Sequence, residues 1–223
     1  MVYTRYFDLP TFNRREILRY AAAREGEEGL DRLLEDCLAE CGGPGRGRVC
    51  YMTVPLEVSE DEVDLSFARV RSRALARNLR GCGQAVVIAA TIGMEMDRRI
   101  RRCSRLQPAR AVVMQAIGTE RIEALCRQFC AELAEEEGPG GLYLRPRFSP
   151  GYGDLSLELQ KDIVRVLDCY KHIGVGLNES LLMTPSKSVT AIVGLSAETC
   201  SPRTEGCSYC DREDCAFRKE TES

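Results

Sequence analysis

The sequence predicts an α+β domain, a mainly antiparallel twisted sheet with flanking helices. Two observations carry this. Strands and helices are interspersed with no regular βαβ repeat of even length. The strongest strand signal, residues 84–92 (QAVVIAATI), passes through Gly93 and Met94 straight into a helix, with no glycine-rich fingerprint between them.

Each element follows from local pattern. Residues 12–41 read as helix: 14–23 is rich in helix formers, and Leu30, Leu33, Leu34, Cys37, Leu38 and Cys41 recur at helical spacing. Gly42, Gly43, Pro44 and Gly45 stop it. Residues 49–58 (VCYMTVPLEV) are strand-like, with Pro55 at an edge or bulge. Residues 62–67 alternate Val63, Leu65 and Phe67 with polar positions, a second strand. A basic helix over 71–80 ends at Gly81. After the strong strand come a short helix over 94–102 and the longest helix, 108–136. In that helix Ile122, Leu125, Cys126, Phe129, Cys130 and Leu133 trace one apolar stripe, and GPGG at 138–141 ends it. A strand over 142–147 leads into Ser-Pro-Gly-Tyr-Gly. Leu159, Ile163, Val166, Leu167 and Tyr170 mark another helix face, closed by Gly174. Residues 181–183 and 189–195 read as two strands joined by Thr-Pro-Ser-Lys. The body is expected to end near Ser196, with 197–223 a polar, cysteine-rich tail.

Composition narrows the function. The chain has 223 residues, 44% hydrophobic and 29% charged, an ordinary globular mixture. Its net charge of −3 gives no electrostatic footprint for nucleic acid or a membrane surface. One histidine and no tryptophan leave little for a histidine-based centre. No apolar run is long enough to span a bilayer and the N-terminus has no signal-peptide core, so a cytoplasmic protein is expected. Twelve cysteines in such a chain read as thiols or metal ligands, not disulfides.

Three constellations can carry chemistry. In Arg147-Phe148-Ser149-Pro150-Gly151-Tyr152-Gly153-Asp154, a tight turn lets backbone approach a ligand, Arg147 offers a planar fork for a carboxylate, and Tyr152 a flat polar-tipped face. The plainer reading is a turn in which Asp154 or Ser156 caps the next helix. Asn178-Glu179-Ser180 and Ser186-Lys187-Ser188-Val189-Thr190 could hold an anion, or form a polar hairpin. Cys200, Cys207, Cys210 and Cys215 could wrap one tetrahedral ion or a cubane cluster; the spacing does not name the metal. His172 reads as a helix-end cation, and Cys37, Cys41, Cys126 and Cys130 as small core hydrophobes. The glycine loop at 42–47 lacks the Gly-Lys-Ser ending of a phosphate loop.

Together these segments resemble the activation (reactivation) domain of cobalamin-dependent methionine synthase, as a free-standing homologue. Arg147 to Gly153 matches an Arg-Pro-Ala-Pro-Gly-Tyr-Pro segment, Gly174 to Ser180 a Gly-x-x-Leu-x-Glu-Ser segment, and Met183 to Val189 a Met-x-Pro-x-x-Ser-Val segment. Upstream, Ala90-Thr91-Ile92-Gly93 and the long helix fit the same layout. The resemblance covers roughly 70–195 and implies a domain that binds S-adenosylmethionine and supports reductive methylation of cob(II)alamin on a partner. That partner would be a corrinoid-binding methionine synthase lacking its own activation domain, or a related corrinoid methyltransferase protein. A flavodoxin- or ferredoxin-like protein would give the electron, and cobalamin would enter only through the partner. The chain would then be an auxiliary methyltransferase subunit with no catalytic side chain of its own. Arg147 would grip the ligand carboxylate, with Ser149, Pro150, Gly151 and Tyr152 shaping the site and Glu179 and Lys187 as further contacts. The sequence departs from the pattern at Ser149, at Gly153 (proline in the family), and at Ile192 and Val193, where the large enzyme has an aromatic pair. The cysteine tail is an addition. An iron–sulfur cluster there could relay the electron, and zinc could instead pin the tail. The alternatives are an iron–sulfur electron-transfer or redox-sensor protein with no S-adenosylmethionine site, and a zinc-pinned scaffold docking on a corrinoid protein.

Overall fold

The computed structural model describes residues 1–198 except 25, 27 and 28. It opens with β1 (Tyr3–Asp8), an edge strand that the sequence reading missed. Its inward side holds a charge as well as apolar groups: the Arg5 guanidinium lies 5.0 Å over the Tyr51 ring and pairs with Glu136. The single helix expected over 12–41 is two, α1 (Arg14–Tyr20) and α2 (Leu30–Cys41). Between them Ala22 at φ +53° and Gly29 at +76° take left-handed conformations that no helix continues through. The expected strand 49–58 divides after Pro55 into β2 (Arg46–Pro55) and β3 (Glu57–Val58). With β4 (Glu62–Asp64) and β5 (Arg69–Arg71), β3 forms a small separate sheet. The second expected strand stops short because Ser66 turns to φ +66° and its N–H bonds the Asp64 carboxylate. Next come α3 (Arg73–Asn78), β6 (Cys82–Thr91), α4 (Glu95–Cys103) and α5 (Pro108–Glu137), close to expectation.

Three later expectations change. The strand over 142–147 shortens to β7 (Tyr143–Leu144), with a further bridge from Phe148 to Ile192. The helix ending at Gly174 is two, α6 (Leu159–Val166) and α7 (Cys169–Ile173), separated where Asp168 takes φ +43°. The hairpin joined by Thr-Pro-Ser-Lys does not form. Instead β8 (Gly176–Leu177) pairs with β9 (Met183–Thr184), while β10 (Ser188–Ser196) runs between β6 and β7. The reason is burial: nearly every position of β10 is buried on both faces, as an interior strand requires.

The main sheet therefore has five strands in the order β1-β2-β6-β10-β7, all antiparallel. Period-two alternation separates two cores. Val86, Ile88 and Ala90 join Ile122, Leu125 and Phe129 of α5, while Ala85, Val87 and Ala89 join α3, α6 and α7. Phe129 packs edge-on against Tyr51 and Phe7, with ring centroids 5.0 and 6.3 Å away, and is fully buried. Burial of such a ring contributes about 1.5–3 kcal/mol. A third cluster packs α1, α2 and α4 on the first half of α5. The buried Arg121 guanidinium ties the β1–α1 connection to α5, donating to the Pro10 and Thr11 carbonyls and pairing with Glu120. Among the described residues no helix is long and apolar enough to cross a membrane.

Candidate functional site

The Arg147 turn enters along the free edge of β10. Leu144 pairs with Leu195 and Phe148 bridges Ile192, so four residue steps on the incoming chain match three on β10. The extra residue is a β-bulge, and it re-aims side chains. Arg145 points to the α3 side, where it reaches the Arg80 carbonyl, and Phe148 is buried in that same core. Arg147 points to the opposite side and donates from Nη2 to Glu123 Oε2 of α5 at 2.7 Å. Burial opposes the guanidinium charge, but the Cys126 side chain and the Glu123 carboxylate favour it more, holding its pKa above the ordinary arginine value. One nitrogen is used by Glu123. That bond takes one of five N–H donors, so others remain for a second acceptor.

Beyond Phe148 the main-chain pairing on this edge ends. Ile192 spends both its N–H and its C=O on Phe148. Thr190, two residues earlier on the same strand, directs its main-chain groups to the same edge. There the chain has turned away at Ser149 and Pro150, and no main-chain group among the described residues pairs with Thr190, which is itself buried, 2% exposed, with Oγ1 hydrogen-bonded to Gln160 of α6. The turn itself is internally bonded: Gly151 N–H donates to the Leu155 carbonyl at 2.9 Å and Tyr152 N–H to that of Ser149 at 3.1 Å. Gly151 can therefore offer a ligand its carbonyl but not its N–H. Tyr152 is 60% exposed and sets its ring edge-on to Phe148. Gly153 sits at φ +54°, with Ala74 3.0 Å from where a Cβ would be. Proline cannot adopt that φ, so this turn differs in shape from one carrying a proline there.

The capping expectation is not met, since the N-cap of α6 is Glu158 and no side chain caps that helix. Ser156 Oγ accepts from the Glu158 N–H as α6 begins. Asp154, however, caps α3 rather than the helix that follows it: its carboxylate accepts from Ser72 Oγ and from the Arg73 and Ala74 N–H groups. Burial works against the charge, but those donors together hold the Asp154 carboxyl below the usual carboxylate range.

The second constellation is mostly internal pinning. Asn178 Oδ1 accepts the Ser180 and Leu182 N–H groups and closes the β8–β9 tip, which leaves Glu179 exposed on that tip. No contact among the described residues joins Glu179 to Arg147 or Lys187. Ser186 donates to Asp97 of α4 through both its N–H and its Oγ, and Ser188 Oγ bonds the Pro185 carbonyl and Thr91. Lys187 differs. It is half-buried, its Nζ donates to Thr119 Oγ1 of α5 at 3.0 Å, and burial pushes its pKa down.

Thr119 and Glu123 stand one helical turn apart on α5, so Lys187 and Arg147 flank one strip between α5 and β10. Tyr20 of α1 borders it: burial, then the nearby Glu123 carboxylate, push its phenol pKa up. Sequence reasoning missed Thr119, Glu123, Tyr20 and the Thr190 edge. The one available signal was Gly118-Thr119 interrupting the apolar pattern of a long helix.

A larger concavity, about 770 Å³, lies elsewhere, between the β1–α1 connection and α1. Arg14 there is paired with Asp31 and Glu35 and Arg19 with Glu16, while Arg15 is exposed; the Arg147 strip is preferred because two of the sequence-predicted site residues, Arg147 and Lys187, meet α5 there. The core cysteines behave as hydrophobes: Cys37 and Cys126 are fully buried, and burial pushes their thiols up to about 11 and about 12. His172 lies in the last turn of α7 with Nδ1 3.1 Å from Thr4 Oγ1. Cys200, Cys207, Cys210 and Cys215 lie outside the described residues. Among the described residues no cluster of three or more histidine, cysteine or acidic side chains could hold a metal ion.

No family model and no curated protein matches the chain. Among solved structures it is similar to the crystal structure of the MetH reactivation domain bound to AdoHcy, with a TM-score of 0.61 and 14% identity over 90% of this chain and 80% of that one. At that identity the likeness is one of fold: a curled antiparallel sheet with flanking helices, shared across nearly the whole chain.

Proposed function

We propose that the strip between the Arg147 turn and α5 binds S-adenosylmethionine, and that the protein supports reductive methylation of a partner's corrinoid. The observation that carries this is Arg147 itself. A bulge turns it to the α5 face, where Glu123 holds one of its nitrogens. A guanidinium held in this way can take a second carboxylate, and the fold it sits on is one whose solved neighbour is bound to AdoHcy. Arg147 would take the amino-acid carboxylate, and Ser149, Pro150, the Gly151 carbonyl and Tyr152 would border the ligand.

The chemistry asks this chain chiefly for positioning. The bound sulfonium would supply a methyl to the partner's corrinoid once the electron donor had reduced that corrinoid, and would leave as S-adenosylhomocysteine, so no general base is asked of this chain. The partner of first choice is a cobalamin-dependent methionine synthase, with a flavodoxin- or ferredoxin-like protein as electron donor. An iron–sulfur cluster on Cys200, Cys207, Cys210 and Cys215 would shorten that electron path. Iron and sulfide assays on anaerobically purified protein test the cluster, and zinc without sulfide removes it.

The central test is calorimetric titration with S-adenosylmethionine. Saturable one-to-one binding is expected, weakened by about 1.5–3 kcal/mol in Arg147→Ala, the range for a hydrogen bond to a charged group. Unchanged affinity in a folded Arg147→Ala protein would remove Arg147 from the site.

A further inference from the structure

We propose that Lys187, held by Thr119, forms a second polar anchor at the end of the strip away from Arg147, reading a hydrogen-bond acceptor on the nucleoside part of the ligand. This rests on the S-adenosylmethionine reading and extends it to an end of the ligand that no other side chain has been assigned to hold.

Lysine is rare here: 27 of the 31 basic residues are arginine. Among the described residues Lys161 and Lys171 are exposed and Lys187 alone is half-buried. Its stem crosses α5 at Gly118, where a Cβ would stand 2.8 Å from Lys187 Cε and 2.7 Å from Met96 Cγ. Glycine is a poor helix former, yet it occupies the interior of a 30-residue helix at the one place where the lysine passes. The packing therefore fixes where the ammonium lies. A compact ammonium on a slim stem suits such a passage better than a planar guanidinium.

The ammonium has three donors and one neutral partner, the Thr119 hydroxyl at 3.0 Å. That hydroxyl is itself held by the Gln115 carbonyl. Asp97 is near enough to favour the lysine charge, but its oxygens accept from Ser186 and it makes no ion pair with Lys187. A half-buried ammonium with donors to spare needs an acceptor. On the strand that floors the strip, Val189 and Ala191 face α5 along with Lys187 and offer neither a ring nor a polar group. An acceptor arriving at this end, a ring nitrogen or a ribose hydroxyl, meets the Lys187 ammonium, which Thr119 holds in place. A ligand with a carboxylate at Arg147 and a nucleoside at Lys187 would satisfy both cations. A simple amino acid would satisfy only the first.

Two measurements with S-adenosylhomocysteine test this. Calorimetry compares wild type, Lys187→Met, which keeps the stem and loses the ammonium, and Arg147→Ala. Acetylation by an N-hydroxysuccinimide ester, read by mass spectrometry, follows each lysine of the wild-type chain with and without ligand. Lys187→Met is expected to bind about tenfold more weakly, and ligand should slow acetylation of Lys187 while leaving Lys161 and Lys171 unchanged. If Arg147→Ala loses affinity but Lys187→Met does not, or if Lys187 acetylates equally with and without ligand, the anchor is wrong and the Arg147 reading stands. If wild type does not bind, both fall together. The acetylation arm uses only the natural chain, so it decides the matter even if Lys187→Met fails to fold.

Discussion

Asp154 offers the sharpest test of how the ligand turn is held. Its two carboxylate oxygens accept three hydrogen bonds at the start of α3, from Ser72 Oγ and from the Arg73 and Ala74 N–H groups. Asp154→Ala removes all three, while Ser72 Oγ still accepts the Leu75 N–H and keeps part of the cap. The lost cap alone is worth about 1–2 kcal/mol, and Ser72, 2% exposed, would be left with an unmatched donor. We therefore expect a loss of about 2 kcal/mol, or about 4–8 °C in melting temperature for a chain of this length. The loss should depend on pH. The folded-state pKa of Asp154 lies below its unfolded value, so its contribution is complete above the unfolded pKa and disappears as pH falls through the folded one. Urea unfolding of wild type and variant should show the full gap at pH 7 and a shrinking gap below about pH 4. An equal gap at pH 3 and pH 7, or none at pH 7, would refute the assignment of a charged cap. Because Asp154 belongs to the same turn as Gly151 and Tyr152, the variant should also weaken ligand binding at temperatures where it stays folded.

Other consequences follow from the same geometry. Glu123→Gln keeps a hydrogen-bond acceptor for Arg147 but removes the carboxylate charge, so a ligand carboxylate should bind at least as tightly as in wild type; a loss near that of Arg147→Ala in calorimetry would mean that the ion pair, not the hydrogen bond, sets the arginine. Gly194→Ala would place a Cβ 2.7 Å from both Cys82 Sγ and Leu79 Cδ2 in the interior strand, and overpacking of about 1–3 kcal/mol should appear as a lowered denaturation midpoint. Cys37 and Cys126, fully buried with thiols pushed up to about 11 and about 12, should alkylate with iodoacetamide at pH 8 far more slowly in folded than in urea-unfolded protein; rapid labelling of either in the folded state would contradict their burial.

Most of the fold was legible because burial writes periodicity into sequence. The stripe from Ile122 to Leu133 and the run from Gln84 to Ile92 became the central helix and an interior strand. What failed did so where one residue outweighed a pattern. Ala22 and Asp168 leave the helical region and divide helices whose apolar spacing continues past them. β1 was hidden because an arginine occupies an inward position, its charge met by Glu136 and its guanidinium lying over the Tyr51 and Phe129 rings. The partner of β10 was misjudged because proximity in sequence favours a hairpin, whereas two-sided burial sends a strand into the sheet.

The candidate site was legible in composition but not in direction, and direction decides its chemistry. Strict alternation from Leu144, which packs toward α5, would send Arg147 to the other face, toward the apolar packing of α3 and α6. There an unpaired guanidinium would carry a large desolvation cost. Phe148 would meanwhile be turned toward α5 and out of the core it now fills. One extra residue between Leu144 and Phe148 resolves both problems: the ring stays in one core and the charge reaches Glu123 on the other face. Pairing resumes once past the bulge, at Phe148, and ends there. Aiming the cation at Glu123 and seating the ring against Ile192 are thus one structural event, which is why the charge and the apolar side chain beside it each reach the environment that suits it.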